Sequence, residues 1–238
     1  MDNAIYATLT RQSGLMREMR ATANNIANSA TTGFRREGVV FAEHVAALGR
    51  DAPSLSMADA RGRVIDLTQG GITGTGGTFD FAIEGEGFFQ IDDSGRPLLT
   101  RAGSFIPSPE GVLLTADGAR VLDAGGAPIF VPPDATDVHM SADGTLSAQG
   151  QAIAQIGVFR PTDPNSLIHE GGTRFSFTGD VEPAEGTQLI QGSLEDSNVN
   201  PVLEISRMIE VQRAYEMGQA FLDREDNRIK SVISTLSR

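Results

Sequence analysis

Glycine and proline are so unevenly placed in this chain that they fix its layout before any other feature is read. Residues 51–200 hold 22 of the 27 glycines and 10 of the 11 prolines, the residues that turn the backbone and interrupt helices. The stretches before and after are nearly free of both and carry long helical periodicities instead. The order predicted is helix, turn-rich body, helix. Formal charge divides in the same way: of the net −12, residues 1–50 contribute +2, residues 201–238 contribute 0 and the middle −14. Such a balance disfavours a broad nucleic-acid surface or adhesion to anionic lipid.

In the N-terminal segment Asp2 or Asn3 can cap a helix, and Ile5, Leu9, Gln12, Met16, Met19, Ala23 and Ile26 recur at alternating spacings of four and three. Gly33, after Thr31 and Thr32, is the expected stop. At the other end Asn200 can cap and Pro201 suits the first helical position. Ile205, Met208, Gln212, Tyr215, Gln219, Leu222, Asp226, Ile229, Ile233 and Leu236 then repeat the same spacing. A helix from Asn200 to Leu236 would be about 55 Å long at about 1.5 Å per residue, longer than a small domain is wide. Part of it would project, with an apolar stripe in water unless a partner covers it. Pattern alone leaves two arrangements open, helices packed on the body or an intermolecular coiled coil.

The middle reads as short strands joined by turns. Phe79, Phe81 and Ile83 alternate with Asp80 and Ala82, and Ser94-Gly95, Asp117-Gly118 and Asp143-Gly144 are hairpin dipeptides. The fold class expected is α+β: terminal helices pairing as a coiled-coil-like stem, and a central all-β domain. The segments are 1–33 as N-terminal helix, 34–67 as connector, 68–192 as body and 193–238 as C-terminal helical segment.

Motifs that carry chemistry are weak. With no cysteine there is no disulfide, thiolate metal site or cysteine nucleophile. His44, His139 and His169 stand apart, with no metal-ligand spacing and no evident general base. Gly85-Glu86-Gly87 lacks the third glycine of a dinucleotide fingerprint, and Gly71–Gly77 lacks the Lys-Ser or Lys-Thr of a phosphate loop. No catalytic, cofactor-binding or metal site is therefore assigned. Acidic residues are plentiful enough that a carboxylate pair in a glycan hydrolase, or a carbohydrate-binding module, stays open as a second class. No run of about 18 apolar residues could span a bilayer as a helix, so no membrane insertion is expected. The first 30 residues lack the apolar block of a cleavable signal peptide.

The two ends are more specific. Asn24-Asn25-Ile26-Ala27-Asn28, followed by Thr31-Thr32-Gly33-Phe34-Arg35-Arg36, resembles the N-terminal signature of the flagellar rod and hook family. Gly192-Ser193-Leu194-Glu195, Ser197-Asn198-Val199-Asn200, Met208-Ile209 and Gln212-Arg213-Ala214-Tyr215-Glu216 resemble its C-terminal signature. Between them Gln69-Gly70-Gly71, Gly85-Glu86-Gly87-Phe88-Phe89 and Thr100-Arg101-Ala102-Gly103-Ser104-Phe105 are similar to the family's body. The resemblance spans nearly the whole chain; within the family it is nearest to proximal-rod members, with a distal-rod member as the alternative.

What it implies is a structural subunit with no enzymatic role and no cofactor. It would be exported through the flagellar export apparatus without a cleavable signal and polymerised with itself and other rod subunits in the periplasm. The resemblance implies termini that stay largely disordered until assembly. The expected assembly interface is Ile5, Leu9, Met16, Met19, Ile26, Ile205, Met208, Gln212, Tyr215, Gln219, Leu222, Ile229 and Ile233. The signature residues are Asn25, Asn28, Gly33, Phe34, Ser197, Asn198, Val199, Gln212, Arg213 and Tyr215. Near-neutral helices touching inside the polymer, with acidic bodies facing solvent, would suit the charge division.

Overall fold

The computed structural model describes residues 2–46 and 55–236, and within them the side chains of residues 5, 7–40 and 62–236. The proposed caps Asp2 and Asn3, and His44, lie outside the described side chains. The chain divides into two units, one of residues 1–27, 37–64 and 200–238, the other of residues 28–36 and 65–199.

The first unit contains helix α1 (Asp2–Ala27), helix α2 (Pro201–Leu236) and a two-stranded sheet of Glu37–Ala46 with Leu55–Ile65. Asn200 caps α2 as expected, its Oδ1 accepting from the amides of Val202 at 3.1 Å and Leu203 at 3.3 Å. The helices run antiparallel: Gln12 meets Tyr215, Glu18 meets Arg207, and Asn25 meets Glu204. On α2 the more buried positions are Glu204, Met208, Val211, Ala214, Tyr215, Gly218, Phe221, Leu222 and Glu225, all on one face of the helix. On α1 they are Gln12, Leu15, Glu18, Ala21, Thr22 and Asn25. Because α1 has 26 residues and α2 has 36, α2 outruns its partner by about three turns.

The second unit is all β and antiparallel. Its largest sheet has nine strands, with Phe88–Asp93 paired to Arg96–Thr100 on one side and to Arg120–Val121 and Val158–Pro161 on the other. Smaller pairs join Phe81–Glu84 to Gln188–Gln191 and Ile72–Gly74 to Ser193–Glu195. Phe81, Ile83, Phe89, Phe105, Leu113, Val121 and Leu146 lie in one buried apolar cluster. The hairpin dipeptides turn where expected. Ser94 and Gly95 have φ of 57° and 86°, the paired left-handed conformation of a turn that matches strand twist.

Four boundaries differ from expectation. α1 stops at Ala27, not Gly33, because residues 28–36 join the β unit. The 34–67 connector holds two paired strands, whose apolar residues have too little alternation to announce them. The β unit starts before 68 and runs past 192 to Val199, since Ser193–Glu195 is a strand rather than the start of the C-terminal helix. The strand predicted from Phe79 begins at Phe81.

Candidate functional site

The helix pair is knitted by polar contacts and leaves about half of its described large apolar side chains uncovered. Gln12 Nε2 donates to the Tyr215 carbonyl at 3.1 Å. Gly218 permits that approach, since a Cβ there would stand 2.8 Å from Gln12 Nε2. Arg207 pairs with Glu18 at 2.5 Å, and that hydrogen bond raises the Arg207 pKa against the opposing effect of desolvation. Buried Asn25 donates to the Glu37 carbonyl at 2.8 Å and to Glu204 Oε2 at 3.1 Å, and accepts from the Glu37 amide at 2.9 Å. Arg63 reaches Glu37 at 3.0 Å.

The apolar periodicity therefore does not coincide with the face that closes the pair. On α1, Leu9 is 49% exposed, and Ile5, Met16, Met19 and Ile26 are half-buried on a flank about one residue removed from the buried row. On α2, Met208, Tyr215 and Leu222 contribute to the pair, whereas Ile205, Gln212, Arg213 and Gln219 are exposed. Beyond the reach of α1, Ile229, Val232, Ile233 and Leu236 continue the partner-facing spacing and stand exposed, Leu236 by 83%. Val202, Ile205 and Ile209 form a second exposed row near the start of α2.

In the β unit, three of the sequence stretches carrying the family resemblance meet at one buried ion cluster. Glu195, at the end of its strand, takes Arg35 Nη1 on Oε1 at 2.5 Å and Arg101 Nε on Oε2 at 2.5 Å. The Gly70 amide donates to Oε1 at 2.8 Å. Arg101 also donates to the carbonyls of Ile83 at 2.9 Å, Gly85 at 2.6 Å and Gly87. Burial pushes the Arg101 guanidinium below its ordinary pKa, and the Glu195 charge opposes that shift. All three side chains are at most 2% exposed. Sequence spacing does not join residues 35, 101 and 195; only the family resemblance includes all three.

Gly33 and Asn198 fit around the cluster. Gly33 adopts φ +71°, donates to the Glu195 carbonyl at 2.7 Å, and lies so close to the Arg101–Ala102 peptide that a Cβ would come within 2.3 Å of the Ala102 nitrogen. Its role is close backbone approach, not helix termination. Phe34 is fully buried, with His169 at 5.3 Å between ring centroids and Phe175 beyond it. Asn28 accepts from Thr31 Oγ1 at 3.2 Å, Ser197 Oγ accepts from the Val199 amide at 3.3 Å, and Val199 itself is buried. Asn198 Oδ1 accepts from the Arg36 amide at 2.7 Å, while Nδ2 donates to the carbonyls of Asp66 and Thr68, each at 2.9 Å. Asn198→Ala strips partners from three main-chain groups and is expected to destabilise the β unit by about 1–3 kcal/mol. A denaturant titration should show a lowered midpoint at unchanged slope.

Among the described residues no group of three or more His, Asp or Glu is placed to hold a metal ion. No helix there is long and apolar enough to cross a membrane. His139 is exposed, and His169 lies among aromatic rings.

Comparison with known proteins gives one answer along the chain. Residues 82–148 match the model of the flagellar hook protein FlgE/F/G D1 domain, and residues 190–235 match that of the flagellar basal body rod FlgEFG protein C-terminal. The chain is 38% identical to the flagellar basal-body rod protein FlgF of Caulobacter vibrioides, over 100% of this chain and 99% of that one. Identity is 35% to FlgF of Mesorhizobium japonicum, over 99% and 98%. It is 28% to the flagellar basal-body rod protein FlgG of Bacillus subtilis, over 98% and 99%.

Proposed function

The chain belongs to the flagellar hook and basal-body rod family, and from that premise we propose how it works as a structural subunit of the rod: its terminal helices form the contacts that propagate the polymer. The observation that carries this reading is the exposed apolar surface of α2, where Ile205 and Ile209 near its start and Ile229, Val232, Ile233 and Leu236 near its end face solvent in the isolated chain. Burying each contributes roughly 1.5–3 kcal/mol. A contact made head to tail, with a rotation that does not close, generates a helical filament. The pair then serves as a coiled-coil-like stem lining the inner tube, with the acidic β unit turned outward. Gln212 and Gln219, both exposed, set register against neighbouring helices.

The subunit is of the proximal-rod type on this reading, since the relatives named FlgF reach the higher identities. It enters the periplasm through the export apparatus as an unfolded chain, for which the lack of cysteine is an advantage. The relatives matched over full length are named as rod proteins, which favours this role over a hydrolase or sugar-binding module.

Packing also supports ordering of the helices during assembly. Among the described side chains of the first unit, the buried apolar residues are Leu15, Ala21 and Val211, against an extensive apolar core in the β unit. A pair held mainly by hydrogen bonds and a half-exposed ion pair has little stability of its own. Amide exchange of the purified chain should show weak protection in α1 and α2 and strong protection through Phe81–Glu84 and Phe88–Asp93. Equal protection in both units would remove the coupling of order to assembly. The family role itself is tested by tagging the chain and isolating basal bodies: it should co-purify with the rod, and its deletion should stop growth of all structures distal to it.

A further inference from the structure

The helix pair of the first unit carries a groove along one side and, past the end of α1, an apolar stripe without cover. The groove lies between residues 8–15 of α1 and 214–221 of α2 and measures about 340 Å³, against the roughly 150 Å³ that holds a benzene ring. Buried Leu15 and half-buried Phe221 give it apolar walls, and the small side chains of Ala214 and Gly218 leave it room. Met217 and Arg11 line it as well, and both are exposed. Arg11 has no carboxylate within ion-pair distance among the described residues.

The stripe consists of Ile229, Val232, Ile233 and Leu236, all exposed. It extends about 11 Å along the helix, the same length as the groove. One turn before Ile229 stands Asp226, paired with Lys230 at 2.6 Å with both side chains well exposed, a pair too weak to hold the carboxylate from a second cation. The stripe does not reach the groove of its own chain, since Met217 and Ile233 stand about 24 Å apart along one helix.

We infer that the groove receives the end of α2 from a second copy of the chain. Groove and stripe match in length and in apolar character, and Arg11 finds in Asp226 the carboxylate it lacks. The stripe also continues the row that α1 covers further up α2, so the second copy extends an interface the subunit already has. Because groove and stripe lie at different places on one chain, the contact is heterologous, and each copy added leaves a groove or a stripe free for the next. Four side chains are far fewer than the roughly 20–30 residues a side of a stable complex, so the contact holds within a polymer, where others add to it, and not between two free chains. The inference rests on the rod reading and names the surfaces that would meet.

The chain has no cysteine, so Met217→Cys with Ile233→Cys supplies its sole thiols, both at exposed positions. Basal bodies carrying this double variant are oxidised and separated without reductant. A disulfide needs Cα atoms within about 7 Å, which the two positions do not meet in one chain, so a ladder of dimers, trimers and higher forms of this chain is expected. Each single variant should give none, because the contact joins unlike surfaces. Chain recovered in the basal bodies without a ladder, a dimer from either single variant, or a bond to a different rod protein would each overturn the inference. Parent chain absent from the basal bodies would instead overturn the rod reading, and the inference with it. A second pair of variants needs no thiol. Arg11→Glu and Asp226→Arg should each lower the amount recovered in basal bodies by up to about fivefold, as for loss of an exposed ion pair, and the two together in one chain should restore it. A double variant recovered no better than the singles would overturn the pairing of these two surfaces.

Discussion

Glu195→Gln should lower the stability of the β unit by about 3–5 kcal/mol, the range for removing one partner of a buried ion pair. The substitution keeps the shape of the side chain and removes its charge. One of the two oxygens becomes an amide nitrogen, so a donor faces the guanidinium donors of Arg35 or Arg101, which stand 2.5 Å from the carboxylate in the native protein. Both cations stay buried, and Arg101 stays fixed by the carbonyls of Ile83, Gly85 and Gly87. Arg101 cannot turn out to water without breaking those bonds. Against a total of about 5–15 kcal/mol for a domain, the loss is a large fraction, and the denaturation midpoint should fall steeply. Glu182→Gln is the control. It breaks a pair in which both side chains are 47% exposed, where less than about 1 kcal/mol is expected. Similar midpoints for the two variants would mean that water reaches the Glu195 cluster and relieves it.

The cluster also shows what a linear reading can and cannot reach. Local rules located the Asn200 cap, Pro201 at the start of α2, and the turns at Ser94-Gly95 and Asp143-Gly144, because each depends on side chains within a few residues of one another. The family resemblance picked out Gly33, Phe34 and Asn198, but their physical tasks are nonlocal. Gly33 is there because the Ala102 backbone passes within touching distance, and Asn198 because three main-chain groups at 36, 66 and 68 need a partner. No periodicity encodes such meetings. The apolar stripe and the face that closes the helix pair differ for a related reason. Apolar spacing assumes that the apolar stripe closes the nearest interface. Here Gln12, Glu18 and Asn25 close it by hydrogen bonding, and the stripe of Ile5, Leu9 and Met16 stays on the flank. A polar interface within the chain and apolar surface outside it is the reverse of a self-sufficient helical hairpin, and the inversion is itself informative about where the apolar surface is needed.

That inversion decides which residues a test of assembly should change. Met208, Tyr215 and Leu222 are poor choices, since they contribute to the α1–α2 contact and an aspartate there would damage the subunit before it met a neighbour. Ile229 and Ile233 are better. Both lie past the end of α1, exposed by 42% and 61%, on the continuation of the row that α1 covers further up. Ile229→Asp with Ile233→Asp should leave the isolated chain's denaturation midpoint within about 0.5 kcal/mol of the parent, as for surface changes that remove no internal contact. In the polymer the same pair forfeits roughly 3–6 kcal/mol of apolar burial, before any desolvation of the new carboxylates is counted. At about 1.4 kcal/mol per tenfold change, the affinity for the neighbouring subunit falls at least a hundredfold. The expected phenotype is a stable subunit that is exported but does not enter the basal body, and cells that do not swim. Normal motility with both aspartates in place would show that the last three turns of α2 lie outside every subunit contact, and the assembly surface would then have to be sought at Val202, Ile205 and Ile209.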